Sequence, residues 1–179
     1  MNTLGTTRLH LVRHGRPRMM PGRAASYWPL DPEGYDEILA LRDSGRLPLG
    51  ARWFTSPEPK AIATGRLLHM GRLTVVPGLE EQHRGDTWIE DPDEFRTVVR
   101  RAFADPVAPA APGWEPLEST RDRVVTAVRG LLADDHDPEQ AIVIVGHGTA
   151  FAVLAAELTG AEPNLDAWEA LPLPGLWVL

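Results

Sequence analysis

The chain has 179 residues, 43% of them hydrophobic, with a formal charge of -7 and a sequence pI near 5.3. Such a length suits one domain, 1–179, with a sizeable core, and the acidic balance argues against broad nucleic-acid or anionic-membrane binding while leaving room for a small basic pocket. The absence of cysteine excludes disulfides, thiolate metal ligands and a cysteine nucleophile; the apolar runs are too short to span a bilayer, and no signal-peptide core precedes the first charges, so a cytoplasmic location is expected.

Residues 8–12, RLHLV, predict a short strand with Leu9 and Leu11 on its apolar side. The stretch 16–29, with three prolines and a glycine, predicts a loop at the rim of a site. A helix follows within 30–45: Asp31 is a cap, Pro32 suits the first turn, and Ile38, Leu39 and Leu41 give an apolar face before Gly45. ARWFTS, 51–56, predicts a second strand. The next helix is expected to start at Ser56 as cap with Pro57 at the first position, its stripe formed by Ala61, Thr64, Leu67 and Leu68.

Residues 73–79, LTVVPGL, predict a third strand, and 78–88 has no clear period. A helix is expected within 90–105, acidic at its start and basic at its end as the helix dipole prefers. Residues 106–116, PVAPAAPGWEP, read as a Pro/Ala linker of polyproline character. A further helix over 117–135 buries Val124, Val128, Leu131 and Leu132. AIVIVGHG, 141–148, is the clearest central strand, backed by an apolar helix over 149–160, and GLWVL at 175–179 suits an edge strand. Strands separated by helices predict an α/β fold: a three-layer α/β/α sandwich with a mostly parallel central sheet and a possible antiparallel edge strand at the C-terminus.

Two of these strands end alike, in Val12-Arg13-His14-Gly15 and Val145-Gly146-His147-Gly148. Sites of open α/β sheets lie at the carboxyl ends of the strands. If these two strands are parallel neighbours, both imidazoles face one rim, with glycines allowing close approach of backbone to ligand. The other histidines carry less: His10 is expected half-buried, His69 ends a helix, His136 sits in an acidic DDHD loop, and His83 is a candidate to approach the site. His14, His147, Glu81 and His83 are metal-ligand types. Arg13 and Arg16 beside His14 disfavour a cation and favour an anion, since guanidinium donors match phosphate oxygens. A serine hydrolase is disfavoured because no GxSxG is present. The residues therefore point to a phosphate held by cations, with a histidine near phosphorus as nucleophile.

The ordered segments resemble the histidine phosphatase superfamily, the branch that includes cofactor-dependent phosphoglycerate mutases and many small phosphatases. LVRHG at 11–15 resembles its opening strand and Arg-His-Gly, and PGR at 21–23 with WPLDPEG at 28–34 resembles the loop before its first helix. SPEPKAIAT at 56–64, LEEQHRGD at 79–86 and VIVGHGTAFAVLAAELTG at 143–160 resemble the later conserved segments of that family. The resemblance implies that His14 is phosphorylated, Arg13 binds phosphate, Glu81 rather than Glu80 is the proton donor, and His147 is the second catalytic histidine. It places the second phosphate-binding arginine on Lys60, the sole lysine beside seventeen arginines. Arg16 and Arg23 are further candidates for phosphate contact. The pattern departs from the family at Arg16, and around Arg18 no equivalent of a phosphate-contacting asparagine is present.

The expected function is hydrolysis of a small phosphorylated metabolite through a phosphohistidine, without metal or other cofactor. The alternatives are a weak or inactive member that binds a phosphorylated ligand or partner, and a mutase-like phosphoryl transferase. Residues 105–116 are the main lid candidate for the latter. Trp28, Trp88, Trp114 and Tyr27 are either pocket walls or ordinary packing. The sequence leaves monomer and homodimer open.

Overall fold

The computed structural model of the chain describes residues 7–134, 137 and 139–179, so His136 lies outside the described residues. Its centre is a five-stranded sheet. β1 (Leu9–Arg13), β2 (Arg52–Thr55), β3 (Leu73–Val75), β4 (Ile142–Gly146) and β5 (Gly175–Val178) lie in the order β3-β2-β4-β1-β5. The first four strands pair in parallel, and β5 runs antiparallel along β1, with Leu11 opposite Trp177. The sheet is thus mostly parallel with one antiparallel edge, as the sequence predicts.

Alternation along the strands splits the core in two. Leu9, Leu11, Ile142 and Ile144 face α3 (Pro92–Ala104), α4 (Leu117–Ala133), α5 (Gly148–Thr159) and α6 (Leu165–Ala170). Val12, Val143, Val145 and Trp53 face α1 (Tyr35–Asp43) and α2 (Pro59–Leu68). β4 is buried along its whole length because it has a strand on each side and helices on both faces.

Three expectations are corrected. The second helix starts at Pro59, not after a Ser56 cap. Pro57 and Pro59 push the residues before them out of helical geometry, so Glu58 stays extended (φ -70°, ψ 136°) and becomes the N-cap residue. The strand expected over 73–79 stops at Val75, ahead of the turn at Pro77 and Gly78, where φ is +98°. Residues 106–116 do more than link α3 to α4: Ala110 and Trp114 are buried in the core beside those helices. The short helix α6 escapes the sequence patterns; Asn164 caps it through the Ala167 N–H (2.9 Å), and its Trp168 is buried.

Candidate active site

The site lies where three parallel strands end. Arg13 pairs with Gly146 in the β1–β4 register, so the residues that follow, His14 and His147, leave the sheet side by side. The His14 N–H donates to Gly146 O at 2.9 Å, and the two imidazole centroids are 5.1 Å apart at 63°. Gly15 is required next: a Cβ there would lie 2.5 Å from Ile38 Cδ1. Its N–H donates to Thr64 Oγ1 (3.0 Å), fastening the His14 loop to α2.

His14 is buried, with Nδ1 2.7 Å from Gly15 O. A carbonyl oxygen only accepts, so Nδ1 carries the proton and Nε2 of the neutral ring keeps its lone pair. Burial, then His147 and Lys60, hold His14 well below the usual imidazole range; its Gly15 bond opposes this and Arg13 reinforces it. His147 is fully buried and pushed down to about 3, by burial first and then by Lys60, with Glu81 opposing and Arg84 and Arg13 reinforcing. Both rings are therefore neutral at neutral pH.

The third strand end, after β2, supplies Ser56, Glu58 and Lys60. Ser56 Oγ lies 2.8 Å from His147 Nε2 and accepts the Glu58 N–H at 3.2 Å. Glu58 is buried, its Oε2 paired with Lys60 Nζ and its Oε1 3.4 Å from His147 Nε2. Lys60 is buried on the first turn of α2 and also donates to Ala25 O at 2.7 Å. The lysine expected at the phosphate seat is thus at the site, with a carboxylate already on it.

Glu81 sits across the cleft at the N-terminus of α5. Its Oε1 accepts from Gln82 N and Ala150 N, both at 2.9 Å, and its Oε2 accepts from Thr149 N at 3.0 Å. Burial pushes its proton affinity up, but Arg84, His147 and these backbone N–H groups outweigh it and hold the carboxyl below the usual range. Glu80 turns elsewhere, accepting from Gly78 N (2.7 Å) and Arg123 Nη1 (3.4 Å).

Arg13 donates through Nη1 to Leu171 O at 2.5 Å, and Arg84 through Nη2 to Thr149 Oγ1 at 3.0 Å. Arg84 also lies over the rings of Trp114 (4.7 Å) and Phe95 (4.9 Å). The Nε atoms of both arginines are buried with no hydrogen-bond partner among the described residues. Arg13, Lys60 and Arg84 line one cleft of about 710 Å³ with His14, His147 and Glu81. Arg16 and Arg23 are not among its walls. Arg16 is drawn to Asp31 (3.1 Å) and Glu33 (2.6 Å), and Arg23 lies 5.5 Å over the Tyr27 ring.

Sequence reasoning missed three of these residues. The sequence pattern makes Ser56 a helix cap and gives Glu58, between two prolines, no role. Arg84 stands in a segment without periodicity, where only the family-like LEEQHRGD stretch signals it. Of the aromatic candidates, Tyr27 and Trp28 line the cleft, Trp88 leans on Trp28 with ring centroids 5.4 Å apart, and Trp114 belongs to the core. His83 does approach the site, lining the cleft at its exposed rim 3.5 Å from Glu115, but it is not one of the paired imidazoles.

The three-layer α/β fold thus brings two strand-end histidines, three cations and the carboxylates of Glu58 and Glu81 into one cleft. The sequence matches the histidine phosphatase superfamily (branch 1) over residues 9–174, and the chain belongs to that superfamily. No curated protein matches the sequence. Among solved structures, it is similar to a mycobacterial glucosyl-3-phosphoglycerate phosphatase, with 21% identity, a TM-score of 0.74, and 96% of this chain and 89% of that one covered. It is also similar to that phosphatase in complex with inorganic phosphate (22%, TM-score 0.68, 97% and 95% covered). A third match is YhfR of Bacillus stearothermophilus (23%, TM-score 0.71, 96% and 90% covered). At these identities the likeness concerns the fold.

Proposed function

We propose that this protein is a metal-independent phosphomonoesterase that hydrolyses a small phosphorylated metabolite through a phosphohistidine on His14. The observation that carries this reading is the locked tautomer: Nδ1–H is committed to Gly15 O, and Nε2 is left unprotonated beside three cations. In the first step Nε2 forms a bond to phosphorus as the P–O bond to the alcohol breaks in line. Arg13, Lys60, Arg84 and His147 surround the transferring group and offset the charge on its oxygens. Glu81 is ionised in the free cleft. A phosphoryl dianion beside it raises its proton affinity, which suits a carboxyl that protonates the leaving alkoxide and then takes a proton from water. Water then attacks phosphorus, the N–P bond breaks, and orthophosphate leaves.

Hydrolysis is preferred over mutase-like transfer because residues 105–116, the main stretch suited to a lid, are tied down by buried Ala110 and Trp114. One observation favours weak turnover or simple binding of a phosphorylated ligand: the Glu58 carboxylate occupies the Lys60 ammonium in the phosphate seat. Rapid quench with a labelled phosphomonoester, in chelator and without added metal, separates these readings. An acid-labile phosphoenzyme is expected in the wild type and none in His14→Ala, with turnover reduced about 10³-fold or more. Normal turnover by His14→Ala would refute the assignment, and phosphate binding without turnover across a substrate panel would establish the binding reading.

A further inference from the structure

Glu58 is a buried carboxylate that the proposed chemistry does not use. Pro57 and Pro59 fix the chain around it, and the residue before a proline is held extended. Glu58 and Lys60 are each 4% exposed, and both line the cleft that holds His14 and His147. Glu58 Oε1 accepts the Glu81 N–H at 2.9 Å and lies 3.4 Å from His147 Nε2. Its other oxygen is on Lys60. An ammonium has three protons; here one faces Glu58 and one the Ala25 carbonyl, 2.7 Å away. A buried ion pair is a poor source of stability, because desolvation offsets most of its attraction. This pair also sits in the wall of the cleft rather than in either apolar cluster.

We propose that Glu58 is a positioning residue for Lys60 and an internal competitor for the phosphoryl group. It keeps the ammonium in place in the free protein with one proton left to offer, and an arriving phosphoryl group pulls Lys60 against the Glu58 contact. The inference rests on reading the cleft as a phosphate site. Lysine suits such an exchange: its point charge on a flexible stem moves between partners, whereas an arginine fork beside Glu58 would lock onto it. The consequence is a restrained grip on phosphate, so that the orthophosphate product is released readily.

Lys60 is the sole lysine, so labelling with nitrogen-15 lysine gives a single side-chain Nζ resonance to follow. Orthophosphate is titrated into the native protein while calorimetry reports occupancy. The Nζ resonance is expected to move in step with occupancy. In Glu58→Gln it is expected to be displaced before phosphate is added, with phosphate bound about tenfold tighter, the size of one charge-assisted contact no longer broken. KM should fall in that variant while kcat does not rise. Phosphate that binds without moving the Nζ resonance, or a Glu58→Gln affinity equal to or weaker than wild type, overturns the inference and leaves the phosphatase reading standing. No phosphate binding at all defeats both. Circular dichroism checks the fold of the variant, and if it does not fold, the wild-type titration alone decides.

Discussion

At the residue scale, adjacent carboxylates have been given different work by their surroundings. Glu81 accepts three backbone N–H groups and faces Arg84 and His147, whereas Glu80 is directed at Gly78 and Arg123. Glu81→Gln is expected to lower kcat about 10²-fold, in line with loss of a general acid–base group. Glu80→Gln should keep near-normal turnover with a small loss of stability. Steady-state kinetics on both variants checks this, and equal losses would remove the distinction. The family-like registration already favours Glu81 over Glu80, but the α5 backbone donors that give the two carboxylates different surroundings lie more than sixty positions away. Arg16 shows the opposite outcome. Its place beside His14 in sequence suggested phosphate contact, and Asp31 and Glu33 hold it outside the cleft.

At the element scale, the loop after β1 depends on α2. The sequence pattern puts Thr64 in an apolar stripe, and it is fully buried, but its hydroxyl accepts the Gly15 N–H and donates to Lys60 O at 2.7 Å. Thr64→Val keeps the shape and leaves the Gly15 N–H buried without an acceptor, a cost of about 1–3 kcal/mol. Urea unfolding should show that loss, and turnover should fall as the His14 loop loses its tether; Thr64→Ser should retain both. Unchanged stability in Thr64→Val would mean that Gly15 finds another partner. The start of α2 carries the same lesson. Proline spacing makes the helix begin at Pro59, and that shift of two residues frees Ser56 from capping to meet His147 and leaves Glu58, now the N-cap residue, in the cleft wall beside Lys60.

At the scale of the whole molecule, the site burdens the fold in acid. His14 and His147 are held neutral below the 6.5 of a free imidazole, so below that pH the unfolded chain binds protons that the native state does not. Stability is therefore undiminished above about pH 6.5 and falls as pH drops below it. His147, held at about 3, should contribute a slope of about 1 kcal/mol per pH unit between about pH 6 and 5, and His14 adds to it in the same direction. His10, also lowered by burial and by Arg8, acts in the same direction. Glu81 adds its loss further down: its folded value lies below the ordinary 4.5, so its stabilisation is complete above that and disappears as pH falls through the folded value. Urea midpoints measured from pH 7.5 to 4 in phosphate-free buffer check the window. His14→Asn should make the upper slope shallower, and a flat profile from pH 7 to 5 would contradict the buried neutral pair. Among the described residues, no helix is long and apolar enough to cross a membrane.

The sequence by itself determined the α/β class, the central place of the AIVIVGHG strand, and the histidines that end two strands, because these rest on local periodicity and on residue types that few other roles require. It also placed Arg13 and Lys60, through ordered segments that share a family pattern. Only the tertiary structure decided which charges share the cleft. Glu58 meets Lys60 because prolines aim it, Arg84 reaches Thr149 on α5 from an aperiodic loop, and Arg16 is claimed by nearer carboxylates. Local patterns report how a segment buries its apolar face; they carry no record of which distant backbone donor or counter-charge a polar side chain will find once the layers close.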